Sequence, residues 1–231
     1  MTRSLSRRVV AITGALGNLG ETLAEMAAAQ GADLVLIDQA PIAIPYSANR
    51  LILSGVDLTS FADCQEVAQQ INDHYGRLDA LVNVAGGYAW EPLLGGAIEA
   101  WDRLYTLNLR TALNASKAML PLLLKSSAGR IVNIGASMAA KAGLGMGAYA
   151  ASKSSVLRLT ESLAEELKDM DITVNAVLPS ILDTPQNRGA MPDADHQRWV
   201  TPAQLAAVIL FLISEQASAV TGTGIPVMGR M

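Results

Sequence analysis

Val9-Val10-Ala11-Ile12-Thr13-Gly14-Ala15-Leu16-Gly17-Asn18-Leu19-Gly20 is followed by an Ala-rich stretch from Glu21 to Gln30. A short β-branched run reads as a strand and the Ala-rich stretch as a helix, with a glycine turn between them. Glycines let a backbone turn tightly and come close to a pyrophosphate, whose charge then rests at the helix N-terminus. That order of strand, glycine turn and helix places a dinucleotide site at Gly14, Ala15, Gly17, Asn18, Leu19 and Gly20 and predicts an α/β fold.

Working outward, a second strand from Asp33 to Ile37 ends at Asp38. An acidic residue at this distance from the glycines is placed to accept hydrogen bonds from the adenosine ribose and to repel a 2′-phosphate. The turn itself has Ala15-Leu16 where a basic residue would serve that phosphate. NAD is therefore the expected cofactor, with NADP the less favoured.

Gln39 to Arg50 carries Pro41 and Pro45 and is expected to be an irregular crossover. A strand near Leu51 to Val56 leads to Asp57-Leu58, then a helix from Ser60 to Tyr75 carries a buried Cys64 and an exposed His74. A fourth strand, Ala80 to Val84, runs into Asn83-Val84-Ala85-Gly86-Gly87, small residues suited to a cofactor crossing the sheet. Glu99 to Leu124 reads as one long helix ending near Pro121. Asn108 lies well inside it, where helix propensity would not choose asparagine.

Gly129 to Ile134 is the fifth strand, and a small-residue loop with Ser137 leads to a helix that holds Tyr149-Ala150-Ala151-Ser152-Lys153 and runs to about Met170. Positions i and i+4 lie one turn apart on a helix face. A free phenol titrates near ~10, and bringing it to ~7 needs roughly 4 kcal/mol, about what one unit charge ~4 Å away supplies at an effective dielectric of ~20. With five Tyr in the chain and equally few Lys, only about 0.1 such pair arises by chance. The pair therefore gains weight behind a dinucleotide site. Strand six, Thr173 to Leu178, is followed by Pro179-Ser180-Ile181-Leu182-Asp183-Thr184-Pro185, then by an irregular polar stretch over 186–200 read as a short substrate lid. Thr201-Pro202-Ala203-Gln204 is a capping box opening a helix to Ile213, and Ile225 to Met228 is the last strand.

Composition narrows the function classes. The 231 residues carry a formal net charge of -4, with 51% hydrophobic and 16% charged. No basic patch longer than Arg7-Arg8 is present, which argues against a nucleic-acid surface. The longest apolar run, Ala206 to Ile213, falls far short of the roughly 18 residues of a membrane span. Arg3, Arg7 and Arg8 ahead of Val9 faintly mimic a signal peptide, but Thr13-Gly14 cuts the apolar run short. A lone Cys64 forms no intrachain disulfide, so a cytoplasmic location is expected. His74 and His196 stand far apart without companion ligands, so no metal is expected. The small charged fraction suggests surface shared between subunits.

The glycine turn, Asn83-Val84-Ala85-Gly86, Ser137 and Tyr149-x-x-x-Lys153, in this order, resemble the short-chain dehydrogenase/reductase family along essentially the whole chain. The resemblance implies one Rossmann-type domain over 1–231: a doubly wound parallel sheet of about seven strands with helices on both faces, in a homodimer or homotetramer. It implies Tyr149 as general acid/base, Lys153 lowering its pKa and holding the nicotinamide ribose, Ser137 steadying the substrate oxygen, and Asn108 supporting a proton relay. It also places Asp57 and Leu58 near the adenine, Asn83, Ala85 and Gly86 beside the cofactor, and Pro179 and Thr184 near the nicotinamide. Three departures stand out. Gly17 replaces the usual middle glycine, where Asn18 now stands; the usual serine register falls on Ala136; and Pro179-Ser180 replaces Pro-Gly.

The expected activity is hydride transfer between NAD(H) and a secondary alcohol or ketone, with Trp90, Leu144, Met146, Ile181, Met191 and Trp199 as candidate pocket lining. One alternative is reduction of a quinonoid or conjugated ring, as in dihydropteridine reductase, which resembles this chain in glycine spacing and in lacking serine at the Ala136 register. The other is a non-catalytic NAD-binding regulator.

Overall fold

The computed structural model describes residues 4–41 and 49–231. Seven strands form one parallel sheet: β1 (Val9–Thr13), β2 (Asp33–Asp38), β3 (Arg50–Ser54), β4 (Ala80–Asn83), β5 (Gly129–Ile134), β6 (Ile172–Pro179) and β7 (Gly224–Val227). They lie in the order β3-β2-β1-β4-β5-β6-β7, so the chain reverses its direction of travel across the sheet between β1 and β4. Every neighbouring pair is parallel, which requires a crossover after each strand.

Those crossovers cover both faces, and this is why β1 is buried along its whole length. Its side chains alternate between two cores. Val10 and Ile12 join Leu34 and Leu36 beneath α1 (Asn18–Ala29) and α7 (Pro202–Leu212). Val9 and Ala11 join Val35 and Ile37 beneath α2 (Phe61–Tyr75), α4 (Thr111–Leu123) and α5 (Gly147–Leu167). A strand repeat of two thus lets one short apolar run serve two helix layers.

Two expected elements differ. The long helix is interrupted: α3 (Glu99–Tyr105) passes into a π-helical turn, Thr106–Arg110, before α4 begins. As expected, the helix ends shortly after Pro121, at Leu123, so the missing proline N–H is tolerated in its last turn. The supposed irregular lid holds α6 (Pro185–Ala190). Thr184 caps it through Asn187 N, with Pro185 at the first position, the same start signal that opens α7 at Thr201-Pro202. The crossover expected between Gln39 and Arg50 falls mostly on residues 42–48, outside the described residues.

Candidate active site

At the carboxyl ends of β1 and β4, where the strand order reverses, lies a cleft of about 490 Å³. A switch point of this kind is where an open parallel sheet leaves room for a ligand. Gly14 forms its floor in a left-handed conformation, φ +62, and a Cβ there would meet Ala85 N at 2.9 Å. Ala85 N in turn donates to Thr13 Oγ1 at 3.1 Å, locking the turn to the chain leaving β4. Gly17 precedes α1 in an extended conformation with no side-chain cap, so the first-turn N–H groups of α1 are left for an anion.

Of the sequence-predicted cofactor residues, Gly14, Gly17, Asn18, Leu19, Asp38, Asp57, Leu58, Ala85, Gly86 and Thr184 line this cleft. Asp38 is joined to the glycine turn itself, accepting from Leu16 N at 2.9 Å and from Ala40 N at 3.0 Å. Asp57 holds its own loop by accepting from Thr59 N and Thr59 Oγ1.

Ala15, Gly20, Asn83 and Pro179, together with Tyr149 and Lys153, are not among the lining residues. Ala15 is in the core. Gly20 serves packing, since a Cβ on it would sit 2.2 Å from Gly14 O. Asn83 is buried among polar core groups, donating to Ser116 Oγ and Asn133 Oδ1. Pro179 is buried at the end of β6 beside Val227. Sequence reasoning missed Thr111, Gln186 and Asn187, which do line the cleft; the helix-start signal at Thr184-Pro185 would have pointed to the last two.

The reactive side chains come from α5 and the π-helical turn. Lys153, one turn beyond Tyr149, is 5% exposed, and its Nζ donates to Ile134 O at 2.8 Å. A Cβ on Gly86 would lie 3.3 Å from Lys153 Nζ and 2.7 Å from Asn108 Oδ1, so lysine, asparagine and the cleft wall meet at that glycine. Asn108 is 2% exposed. Its Oδ1 accepts from Gly87 N at 2.8 Å, while Nδ2 donates to Gly87 O and Ser152 Oγ. Ser152 Oγ donates to Tyr149 O. The asparagine thus pairs with the chain beyond β4 as another strand would, and links it to the first turn of α5.

The expected lowering of the Tyr149 pKa by Lys153 is not in place here. Burial, then the neighbouring Tyr88, pushes the phenol up to about 12, while Lys153 Nζ donates to Ile134 O. Burial alone pulls Lys153 down to about 8. Tyr149 therefore holds its proton at neutral pH and is poised as a donor. Ser137 opens a 3-10 turn, Ser137–Ala139, which is tied to α5 by Ser154 Oγ donating to Ala139 O at 2.7 Å. Among the described residues its hydroxyl makes no hydrogen bond, and Ala136, in the usual serine register, is buried.

Of the candidate lining residues, Trp199 is buried with its ring tilted on His196. Trp90 and Leu144 are exposed and joined by a hydrogen bond. No group of three or more His, Cys, Asp or Glu among the described residues could hold a metal, and no described helix is long and apolar enough to cross a membrane.

A family model described as short chain dehydrogenase matches residues 8–195. The chain is similar to a 3-oxoacyl-(acyl-carrier-protein) reductase of Thermotoga maritima, 30% identical over 98% of each chain. A meso-2,3-butanediol dehydrogenase of Serratia marcescens is 30% identical over 96% of this chain and 93% of its own. Among solved structures, a short chain dehydrogenase of Shigella flexneri complexed with NADP superimposes with a TM-score of 0.87 at 26% identity, covering 98% of this chain and 99% of that one.

Proposed function

The chain belongs to the short chain dehydrogenase family, and from that premise we propose that it interconverts a ketone and a secondary alcohol with NAD(H). The observation that carries this reading is the meeting of Lys153 and Asn108 at Gly86, on the wall of the glycine-turn cleft and one helical turn from Tyr149. The residues present fit a dinucleotide: the glycine cradle would be filled by a Cβ at Gly14, and no side chain caps α1. When bound, the nicotinamide supplies or accepts the hydride. Tyr149 gives the proton to the carbonyl oxygen, Ser137 steadies that oxygen, and Lys153 holds the ribose and restores a positive field beside the phenol. Asn108 keeps the first turn of α5 in register with the cleft. The test is oxidation of NADH by butanone, read as loss of nicotinamide absorbance. The reading fails if neither NADH nor NADPH is consumed with butanone and neither oxidised cofactor is reduced with butan-2-ol.

NAD is preferred on this reading although the Shigella neighbour is an NADP complex. Asp38 lies in the cleft bound to the glycine turn, and no Lys or Arg occurs from Val9 to Asn49 to neutralise a 2′-phosphate. NAD should exceed NADP by more than about tenfold in kcat/KM, roughly 1.4 kcal/mol. Asp38→Ala should narrow that gap. Equal use of both cofactors by the wild type would show that Asp38 does not set the choice.

A second reading, reduction of a quinonoid or conjugated ring, draws support from the buried Ala136 and the unbonded Ser137 hydroxyl. If Ser137 orients the reacting oxygen, Ser137→Ala lowers turnover about 30-fold to 1000-fold. We expect that loss. A change under about threefold would favour the ring-reducing reading, as would faster turnover of quinonoid dihydropterin than of ketones. The lone Cys64 and the exposed apolar side chains on α3 and α4, Trp101, Tyr105 and Leu113 among them, support a cytoplasmic homodimer or homotetramer.

A further inference from the structure

The chain leaving Gly86-Gly87 carries Tyr88 and Trp90, and both rings are more than half open to solvent, at 56% and 55%. Exposed aromatic rings held in fixed positions call for a use, because burial would otherwise reward them. These are held. Trp90 Nε1 donates to Leu144 O at 3.0 Å, and Glu91 N donates to Gly145 O at 2.7 Å. Gly145 has φ +71, and a Cβ there would meet Trp90 Nε1 at 2.3 Å, so the indole packs closely against bare backbone. Tyr88 packs edge-to-face on Tyr149, centroids 5.0 Å apart and planes at 80°. Leu144, 87% exposed, continues the apolar surface on the facing loop.

We propose that Tyr88 and Trp90 form a preordered aromatic wall beside Tyr149 that selects ketones carrying a flat, unsaturated group. The inference rests on the oxidoreductase reading and deepens it. Because the Tyr88 ring packs on the Tyr149 phenol, it stands beside any carbonyl held at that phenol. A flat π system tethered to the carbonyl by a short linker can then stack on Trp90 or meet Tyr88 edge-on, geometries in which aromatic pairs attract beyond simple burial. Holding the rings in advance means little ordering is left for the substrate to impose. Tyr88 is a specificity residue in this account and takes no proton.

The test compares benzylacetone with butanone. In the wild type, benzylacetone should have the higher kcat/KM. In Tyr88→Ala the ratio of the two values should fall about tenfold or more, chiefly through KM for benzylacetone. Tyr88→Phe, which keeps the ring, should restore the ratio to within about threefold of wild type. An unchanged ratio in Tyr88→Ala, or a change in oligomeric state by light scattering without a change in ratio, overturns the wall. If the wild type turns over neither ketone, the oxidoreductase reading fails separately. Saturation-transfer NMR of benzylacetone on the full chain then decides the wall: contact present in the wild type and lost in Tyr88→Ala upholds it, and equal or absent contact in both overturns it.

Discussion

Tyr149→Phe is expected to lower turnover by about 10²- to 10⁴-fold, the range that a positioned acid/base supplies, while leaving the dissociation constant for NADH within about twofold of wild type. Two observations separate these effects. The ring makes a T-shaped contact with Tyr88, a contact that phenylalanine keeps, so the fold around it is undisturbed. Tyr149 is not among the residues lining the dinucleotide cleft, so loss of its hydroxyl removes little from cofactor binding. Fluorescence titration of NADH and steady-state turnover on the same preparation check both halves. Wild-type turnover by the Phe variant would remove Tyr149 from the chemistry.

The same hydroxyl also makes a prediction free of cofactor. Its pKa is pushed up to about 12, so between pH 7 and 11 the phenol stays protonated and no phenolate absorbance should be assignable to it. The difference spectrum of wild type minus Tyr149→Phe should grow only above about pH 11. A raised pKa favours reduction, which takes the proton from Tyr149, over oxidation, which needs the phenolate. A difference spectrum appearing near pH 7 would mean that Lys153 points at the hydroxyl and not at Ile134 O.

Features written in local order were legible in the sequence. The glycine turn between β1 and α1, Asp38 at the end of β2, and Tyr149 one turn before Lys153 each follow from backbone conformation and helical spacing over a few residues. Asn108 was legible only as an oddity, since a π-helical turn leaves no pattern of its own and its partner Gly87 lies on another element. A run of small residues after a strand does not say which groups face a cleft: the Asn83 side chain ties β4 to β5 and α4, while Val84, Ala85 and Gly86 line the cleft. The Tyr88 contact with Tyr149 was invisible, being made between the loop after β4 and the first turn of α5, which the whole sheet brings together. The sign of the Tyr149 shift was misjudged for a similar reason: spacing puts the lysine on the right face, but it does not reveal that Ile134 O competes for its proton.

Lys153→Met should abolish most turnover yet leave the cofactor-free protein at least as stable as wild type at pH 7. The ammonium is buried and its pKa falls from 10.5 to about 8 through burial alone. A lowered pKa on a base means that folding disfavours the charged form, so below about pH 8 the folded wild type carries the full penalty. That penalty is on the order of 3 kcal/mol. It is relieved as pH rises from 8 toward 10.5, where the unfolded chain binds the proton and the folded one does not. Methionine removes the charge at similar length and leaves Ile134 O without its donor, a loss of about 1–3 kcal/mol. The two effects leave the variant about level with wild type or up to ~2 kcal/mol more stable at pH 7. At pH 10 the order should reverse, because most of the wild-type penalty has gone and the unpaired carbonyl remains. Urea unfolding of both proteins at the two pH values decides it. A variant that is less stable by more than about 1 kcal/mol at pH 7, with the difference unchanged at pH 10, would show that Lys153 is a structural cation. The opposite result would mark Lys153 as a charge held in place at the expense of stability, as expected of a group kept for function and not for packing.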